Sequence, residues 1–328
     1  MKKLLLSLSL LLSVSGLRAQ ESTASFNVLK MPALVHSTAL GGKNITLIED
    51  NPAVGWQNPA LYANVSDLSL AVNYMTYVDG GGWMGAHFTK ALGERHTLAA
   101  MAQYLTYGEV TQTDEAGVEQ GTFTPKDIIL GVGYSYLLSE RWSGGANAKF
   151  LVSNLGDYSA VVMAYDLGLN YYDEEEDLSV SAALLNVGTQ LKAYENGVRT
   201  HLPFDLVFGL SMGMAHLPVR WHVTLSDATR WKKSYFARTS VDEGDISFSK
   251  MFLNHFGLGL DILPTDNIYL AVGYNCRRGN ELKAAGSGSM AGLTAGAGIH
   301  LNRLKFDLAY ARYHKAANSI AFSAAYTF

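Results

Sequence analysis

Ser319-Ile320-Ala321-Phe322-Ser323-Ala324-Ala325-Tyr326-Thr327-Phe328 occupies the last ten positions of the chain and sets the period by which the rest is read. Ile320, Phe322, Ala324, Tyr326 and Phe328 share one face of an extended strand, and Ser319, Ala321, Ser323, Ala325 and Thr327 share the other. One face is greasy and the other is small and polar. The preceding segment repeats the arrangement with charge, since Leu304, Phe306, Leu308 and Tyr310 alternate with Arg303, Lys305 and Asp307. A soluble sandwich could not comfortably turn three charges toward its core. A barrel with lipid outside and a polar lumen inside is expected to show that pattern.

The same alternation continues backward through 293–301, 268–275, 256–262, 219–226, 204–214, 178–187, 158–171, 141–153, 127–137, 96–107, 82–90 and 67–77, which makes fourteen strands in all. Connection lengths agree with that count. Every even-numbered connection is brief, around Gly93, Ser139, Glu175, His216, Thr265 and Asn302. The long ones, at about 108–125, 188–203, 227–250 and 277–290, are all odd-numbered. Outer-membrane barrels sort their loops in this way, with short periplasmic turns and longer external loops. The expected fold is therefore all-β, a 14-stranded antiparallel transmembrane β-barrel over 67–328.

Composition supports that reading. Of 328 residues, 48% are hydrophobic and 16% charged, with 32 Gly, 18 Tyr and 13 Phe; a soluble domain carries roughly 25% charged residues. No internal stretch reaches the roughly 20 apolar residues that a spanning helix needs, so a crossing would be made by strands. Lys2 and Lys3 precede an apolar run from Leu4 to Val14, and Leu17-Arg18-Ala19 ends in a small residue, which is the pattern of a secretory leader over residues 1–19. Its removal takes away Lys2, Lys3 and Arg18 and no acid, moving the formal charge from −4 to −7. A nucleic-acid partner is disfavoured. The single cysteine, Cys276, allows no internal disulfide and reads as a buried small residue.

Residues 20–66 break the period. Leu40-Gly41-Gly42, Glu49-Asp50 and Asn58-Pro59-Ala60-Leu61, with Pro52 and Pro59 close together, suit compact turns and short helices. The bore of a fourteen-stranded barrel is too wide for wall side chains alone to fill, so this segment is expected to fold into the lumen as a plug. Its motif residues are Gly41, Gly42, Asn58, Pro59 and Ala60.

The stretch from Phe26 to Leu61, with Leu29 to Pro32, Ala39-Leu40-Gly41-Gly42 and Asn58-Pro59-Ala60, resembles the PorQ family of the type IX secretion system. That family sits in the wider PorV/PorQ group, related to the long-chain fatty-acid transporter barrels. Tyr310-Ala311-Arg312-Tyr313-His314 with Ala317-Asn318-Ser319 is similar to it as well, whereas Val35-His36-Ser37 stands where a Ser-Ala-Arg run would be usual. The resemblance implies a non-enzymatic outer-membrane component of an attachment complex. In it the barrel would retain a PorZ-like surface protein, with PorU and PorV in the same complex, while cargo is processed and joined to lipopolysaccharide. The wider relationship implies an alternative, a transporter of long-chain fatty acids or other hydrophobic compounds. Such a transporter needs an exit, often where a strand kinks, and the inward Gly257 and Gly259 would permit one. Tyr326 and Phe328 resemble the carboxy-terminal signal for barrel assembly.

Catalytic patterns are weak. Gly209-Leu210-Ser211-Met212-Gly213 fits the nucleophile elbow G-x-S-x-G, but the elbow needs a strand-to-helix turn and Ser211 lies inside a strand alternation. The nine histidines show no metal-binding spacing, and no cofactor motif stands out. Asp173 to Asp177 reads as a solvated acidic turn rather than a Ca²⁺ loop. In the loop 227–250, Trp231, Tyr235 and Phe236 interleave with Arg230, Lys232, Lys233 and Arg238. These residue types are enriched at interfaces, which makes Trp231, Tyr235, Phe236 and Arg238 docking candidates. Their rival reading is an aromatic girdle with basic residues on lipopolysaccharide phosphates.

Overall fold

The computed structural model describes residues 25–77, 80–114, 116–194, 199–236, 246–265, 267–284, 290–313 and 318–328. The leader 1–19 and Arg238 lie outside them. The strands are β1 Ser69–Thr76, β2 Gly82–Leu92, β3 His96–Thr106, β4 Val110–Thr113, β5 Glu119–Phe123, β6 Lys126–Leu137, β7 Trp142–Leu155 and β8 Tyr158–Asp173. They continue with β9 Leu178–Lys192, β10 Asp205–Met214, β11 Leu217–Leu225, β12 Phe256–Thr265, β13 Ile268–Asn275, β14 Leu293–Leu301, β15 Leu304–Ala311 and β16 Ser319–Thr327. All except β4 and β5 form one closed antiparallel barrel of fourteen strands, in which β3 pairs with β6 and β16 closes on β1. β4 and β5 make a separate hairpin inside the long connection after β3.

Closure is what the alternation requires. In β15 burial strictly alternates, with Leu304, Phe306, Leu308 and Tyr310 exposed and Lys305, Asp307 and Ala309 buried. The same pattern, in β1 and β3 most cleanly, leaves an apolar outer belt and turns small and polar side chains inward. Every strand of the barrel is paired on both sides, the condition for crossing hydrocarbon without an edge. Among the described residues no helix is long and apolar enough to cross a membrane.

Three details depart from the sequence reading. Arg303 lies exposed in the turn before β15, so the inward charges there are Lys305 and Asp307 alone. The loop from 277 begins as a helix over Cys276–Ala284, whose Arg277 and Glu281 pair at 2.6 Å one turn apart; buried Cys276 opens it. β9 runs to Lys192, beyond the expected end, and carries an irregularity on the way. Asn186 adopts a left-handed φ of 58°, and the β8–β9 register shifts between Tyr165 and Leu167.

The hydrophobic core lies within the barrel. Val28, Leu29, Trp56, Leu61 and Tyr62 of the amino-terminal segment are buried together with Met75, Trp83, Met101, Leu105, Ile129 and Leu151 of the wall. The segment contributes α1 (Val35–Ala39) and 3-10 helices at Asn27–Lys30, Pro52–Trp56 and Pro59–Asn64.

Candidate functional site

The inner face of the wall, where residues 25–66 meet the strands, gathers most of the buried polar chemistry. Its first seam runs along β6 to β9 and is close-packed. Asn58 caps the helix Pro59–Asn64 by accepting from the Ala60 amide at 3.1 Å, and its Nδ2 donates to Ile45 O at 2.8 Å and to Ser181 Oγ of β9 at 3.2 Å. Wall glycines receive this helix. A Cβ on Gly145 would stand 2.4 Å from Pro59 O, and one on Gly168 would stand 2.0 Å from Asn58 Oδ1. Trp56 is buried between Trp83 and His87, donates its indole N–H to Met31 O at 2.8 Å, and carries the Lys149 ammonium 4.0 Å over its ring. Lys149 in turn pairs with Asp166 at 2.6 Å.

The second seam, along β11 to β15, is ionic. His36 of α1 donates Nδ1–H to Glu49 Oε2 and Nε2–H to Asp261 Oδ1 of β12, each at 3.0 Å. Both partners are carboxylates that can only accept, so the ring is an imidazolium. Burial alone would lower its pKa, but the charges of Asp261 and Glu49 outweigh burial and hold it at about 10. His222 of β11 is the other tautomeric case. Asn44 Nδ2 donates to its Nδ1 at 3.0 Å, which leaves Nε2–H to donate to Asp261 Oδ2 at 2.9 Å. Beyond Glu49 the chain of contacts continues to His300 of β14 and Asp307 of β15, whose carboxylate also accepts from Tyr269 at 2.9 Å and Ser323 at 2.6 Å. Lys305 pairs with Asp50 at 2.8 Å.

Within this second seam, Gly41 and Gly42 turn with φ of 97° and 90°, which favours glycine at both positions. Gly41 N–H donates to Thr294 Oγ1 at 3.0 Å, and Gly41 O accepts from Asn275 and Arg278. Thus Gly41, Gly42, Asn58, Pro59 and Ala60 all touch the wall, and the inward glycines leave room for them. Ser211 lies within β10, its Oγ 3.5 Å from Thr46 O, with no strand-to-helix turn.

At the end of the wall bearing the long loops, Asp227 ties three elements. It pairs with Arg230 at 2.8 Å and Arg277 at 2.7 Å, and Tyr235 shares the cluster. Burial would raise the Asp227 pKa, but Arg277, Lys30, Lys43 and Arg230 hold it down at about 2. Lys30 is driven the other way, lowered to about 8 chiefly by burial. Of the docking candidates, Trp231 is 42% exposed and stacks on His255 at 4.1 Å. Tyr235 is half-buried and bonded to both arginines, and Phe236 is buried edge-on against His255. Tyr326 and Phe328 lie on the outer face, 5.0 Å apart, with β16 paired on both sides rather than left as an edge. The acidic turn is tied down at both ends: Asp173 pairs with Arg141 and Asp177 with Arg220.

Sequence spacing pointed to no metal ligands. The fold nevertheless brings Glu49, His300 and Asp307 together, with one ligand atom from each lying within 4.8 Å of the others. A cavity of about 10 Å³, room for about one water, lies among Leu29, Lys30, Lys43, Trp56, Gln57, Lys149, Leu185 and Asn186. One wall irregularity is at Asn186, and the register also shifts at Val161/Val162, Gly213/Met214 and Ile262/Thr265; at Gly257 and Gly259 the pairing of β12 with both neighbours is regular.

No protein-family profile matches the chain, and no curated protein matches it in sequence. Solved structures do resemble it. The Ralstonia pickettii toluene transporter TbuX is 13% identical, with 92% of this chain and 99% of that one covered and a TM-score of 0.55. The Pseudomonas putida toluene transporter TodX is 12% identical over 94% and 99%, with a TM-score of 0.56. A Pseudomonas aeruginosa FadL homologue is 10% identical over 90% and 98%, with a TM-score of 0.52. At such identities the likeness is one of fold, and the fold is that of an outer-membrane barrel.

Proposed function

We propose that this chain is a non-enzymatic outer-membrane barrel that moves a hydrophobic compound, with residues 25–66 as the plug of its lumen. The observation that carries the reading is the interrupted ladder at Asn186. There β9 bulges against β8 and the adjoining Leu185 and Asn186 line the small internal cavity beside Lys30, Lys43 and Trp56. An apolar solute leaving a barrel sideways needs a gap in the hydrogen-bonded wall, and a bulge is where the wall is weakest. The barrels of similar fold are described as toluene transporters, and another, CymD (13% identical, TM-score 0.53), as a monoaromatic hydrocarbon channel. That is further support for the transport reading.

A second reading is favoured by the close seating of residues 25–66 on the wall, with Pro59 against Gly145 and Asn58 against Gly168, which suits a surface scaffold. In this reading the chain is a PorQ-type member of the PorV/PorQ group. It would retain a PorZ-like protein beside PorU and PorV, near lipopolysaccharide, with Trp231 as a contact. Affinity purification from gently solubilised outer membranes separates the two. Co-purified fatty acid or hydrocarbon, with no protein partner, is the result expected for transport. One stoichiometric surface protein and no bound lipid would overturn transport in favour of attachment.

A further inference from the structure

Glu49 is buried, and its two carboxylate oxygens are treated unequally. Oε2 is held by His36, whereas Oε1 has no hydrogen-bond partner. A buried carboxylate oxygen without a donor is costly unless something else meets it. Oε1 faces His300, whose Nε2 is 3.7 Å away, and that same nitrogen is 3.1 Å from Asp307 Oδ1. Two ligands on one tetrahedral ion, each about 2.0–2.2 Å from the metal, stand about 3.3–3.6 Å apart. The spacing found here straddles that range.

The surroundings resemble the outer shell of a metal centre. Asp307 Oδ1 accepts from Tyr269, Asp307 Oδ2 accepts from Ser323, and Glu49 Oε2 accepts from His36, so both carboxylates are oriented by neighbours that do not enter the site. The ring of Tyr269 lies edge-on to His300 at 5.4 Å and stacks on His36 at 3.6 Å. The His300 side chain is 22% exposed while Glu49 and Asp307 are buried, so His300 is the ligand that solvent reaches most readily.

We propose that Glu49 Oε1, His300 Nε2 and Asp307 Oδ1 form a divalent transition-metal site that pins the amino-terminal segment to the wall. One imidazole and two carboxylates suit zinc and its first-row neighbours better than calcium or magnesium, which take oxygen ligands. The ion takes the place of the hydrogen that His300 Nε2 otherwise directs at Asp307. The site holds whether the barrel transports or anchors, because it concerns only how segment and wall are joined.

The test uses the full-length barrel in detergent, purified through a tag without histidine, stripped with a chelator and titrated with zinc chloride. One zinc per chain is expected by calorimetry and native mass spectrometry, and X-ray absorption should give one nitrogen and two protein oxygens at about 2.0–2.1 Å. Glu49→Gln and His300→Ala should each weaken zinc by more than about 100-fold, beyond the usual cost of losing an outer-shell group. His216→Ala, in an exposed turn on another part of the wall, should leave binding unchanged. Heat-dependent gel mobility checks that each variant is a folded barrel, and the absorption spectrum of the unaltered chain decides if one is not. No saturable zinc binding would overturn the proposal, as would a spectrum with two or more imidazoles, calcium binding as tight as zinc, or zinc binding lost in His216→Ala and kept in His300→Ala.

Discussion

Along β6 to β9 the amino-terminal segment meets the wall with almost no gap, Gly145 against Pro59 and Gly168 against Asn58, whereas along β11 to β15 it meets the wall through His36, Asn44 and Glu49. The first seam is made mainly by shape, with one buried ion pair, Lys149 with Asp166, inside it. Its glycines remove side chains so that a short helix can approach backbone, and Trp56 fills what remains. The second seam adds charge to a close approach of its own, Leu40 against Gly259 and Ala39 against Gly296, with Asp261 shared between an imidazolium and a neutral imidazole. A shape-based seam is insensitive to solution conditions, while a charge-based one loses its partner whenever a ring loses its proton. One segment is therefore fixed at one side and conditionally fixed at the other, and only the second side is suited to release.

The sharpest way to break this contrast is to remove one anchor from each seam and compare. Trp56→Ala should cost about 3–5 kcal/mol in a urea titration of the detergent-solubilised barrel, the range for emptying a buried aromatic site. Most of that loss is apolar burial, so it should change less between pH 7 and pH 10.5 than the loss described next. Asp261→Asn should also cost about 3–5 kcal/mol at pH 7, because it leaves the buried His36 imidazolium short of a counter-charge. Here the cost must depend on pH. The His36 pKa is raised from 6.5 to about 10 in the folded chain, so its stabilisation is complete below 6.5 and is lost as pH rises through 10. The Asp261→Asn deficit should thus shrink between pH 7 and 10.5. A deficit that stays constant over that interval would remove the distinction between the seams. A smaller effect sharpens it: Gly145→Ala should cost about 1–3 kcal/mol through overpacking. Gly257→Ala, where an added Cβ would meet only Thr224 O at 4.0 Å, should stay within about 0.5 kcal/mol. Limited proteolysis within residues 25–66 should follow the same order.

The wall was legible in the sequence because its signal is local. Period-two alternation needs only neighbours, as in Leu304 to Tyr310, and loop parity needs only counting. Gly41-Gly42 and Asn58-Pro59-Ala60 were legible for the same reason, being turn and cap chemistry contained in two or three residues. The ionic seam was not. His36 and Asp261 are 225 positions apart, and Glu49, His300 and Asp307 come from three separate elements, so no spacing rule finds them. One trace existed: Val35-His36-Ser37 departs from its family-like surroundings where the imidazolium now sits. The hairpin β4–β5 was missed because its residues are exposed on both faces and carry no alternation. The bulge at Asn186 was missed because an asparagine with positive φ within a strand leaves no mark in a hydrophobic pattern.

Another small expected effect on stability bears on the far end of the molecule and on the attachment reading. Sequence alone treated Trp231, Tyr235 and Phe236 as one docking patch, but they now differ in kind. Phe236 is buried and Tyr235 is bonded to Arg230 and Arg277, so replacing either loosens the Asp227 cluster and would impair any surface function indirectly. Trp231 is exposed, and its contacts include the stack on His255, the Phe252 ring at 6.2 Å and one hydrogen bond to Ala228 O at 2.7 Å. Trp231→Ala should therefore cost only about 1 kcal/mol, the scale of one aromatic pair, and leave the amount of folded barrel in the membrane unchanged. If this loop grips a surface protein, the same substitution should lower the amount of that protein retained on cells severalfold, because exposed tryptophans carry a large share of interface energy. Full retention with Trp231→Ala would remove this loop as the docking site, and loss of retention in Phe236→Ala alone would then report a loosened loop rather than a lost contact.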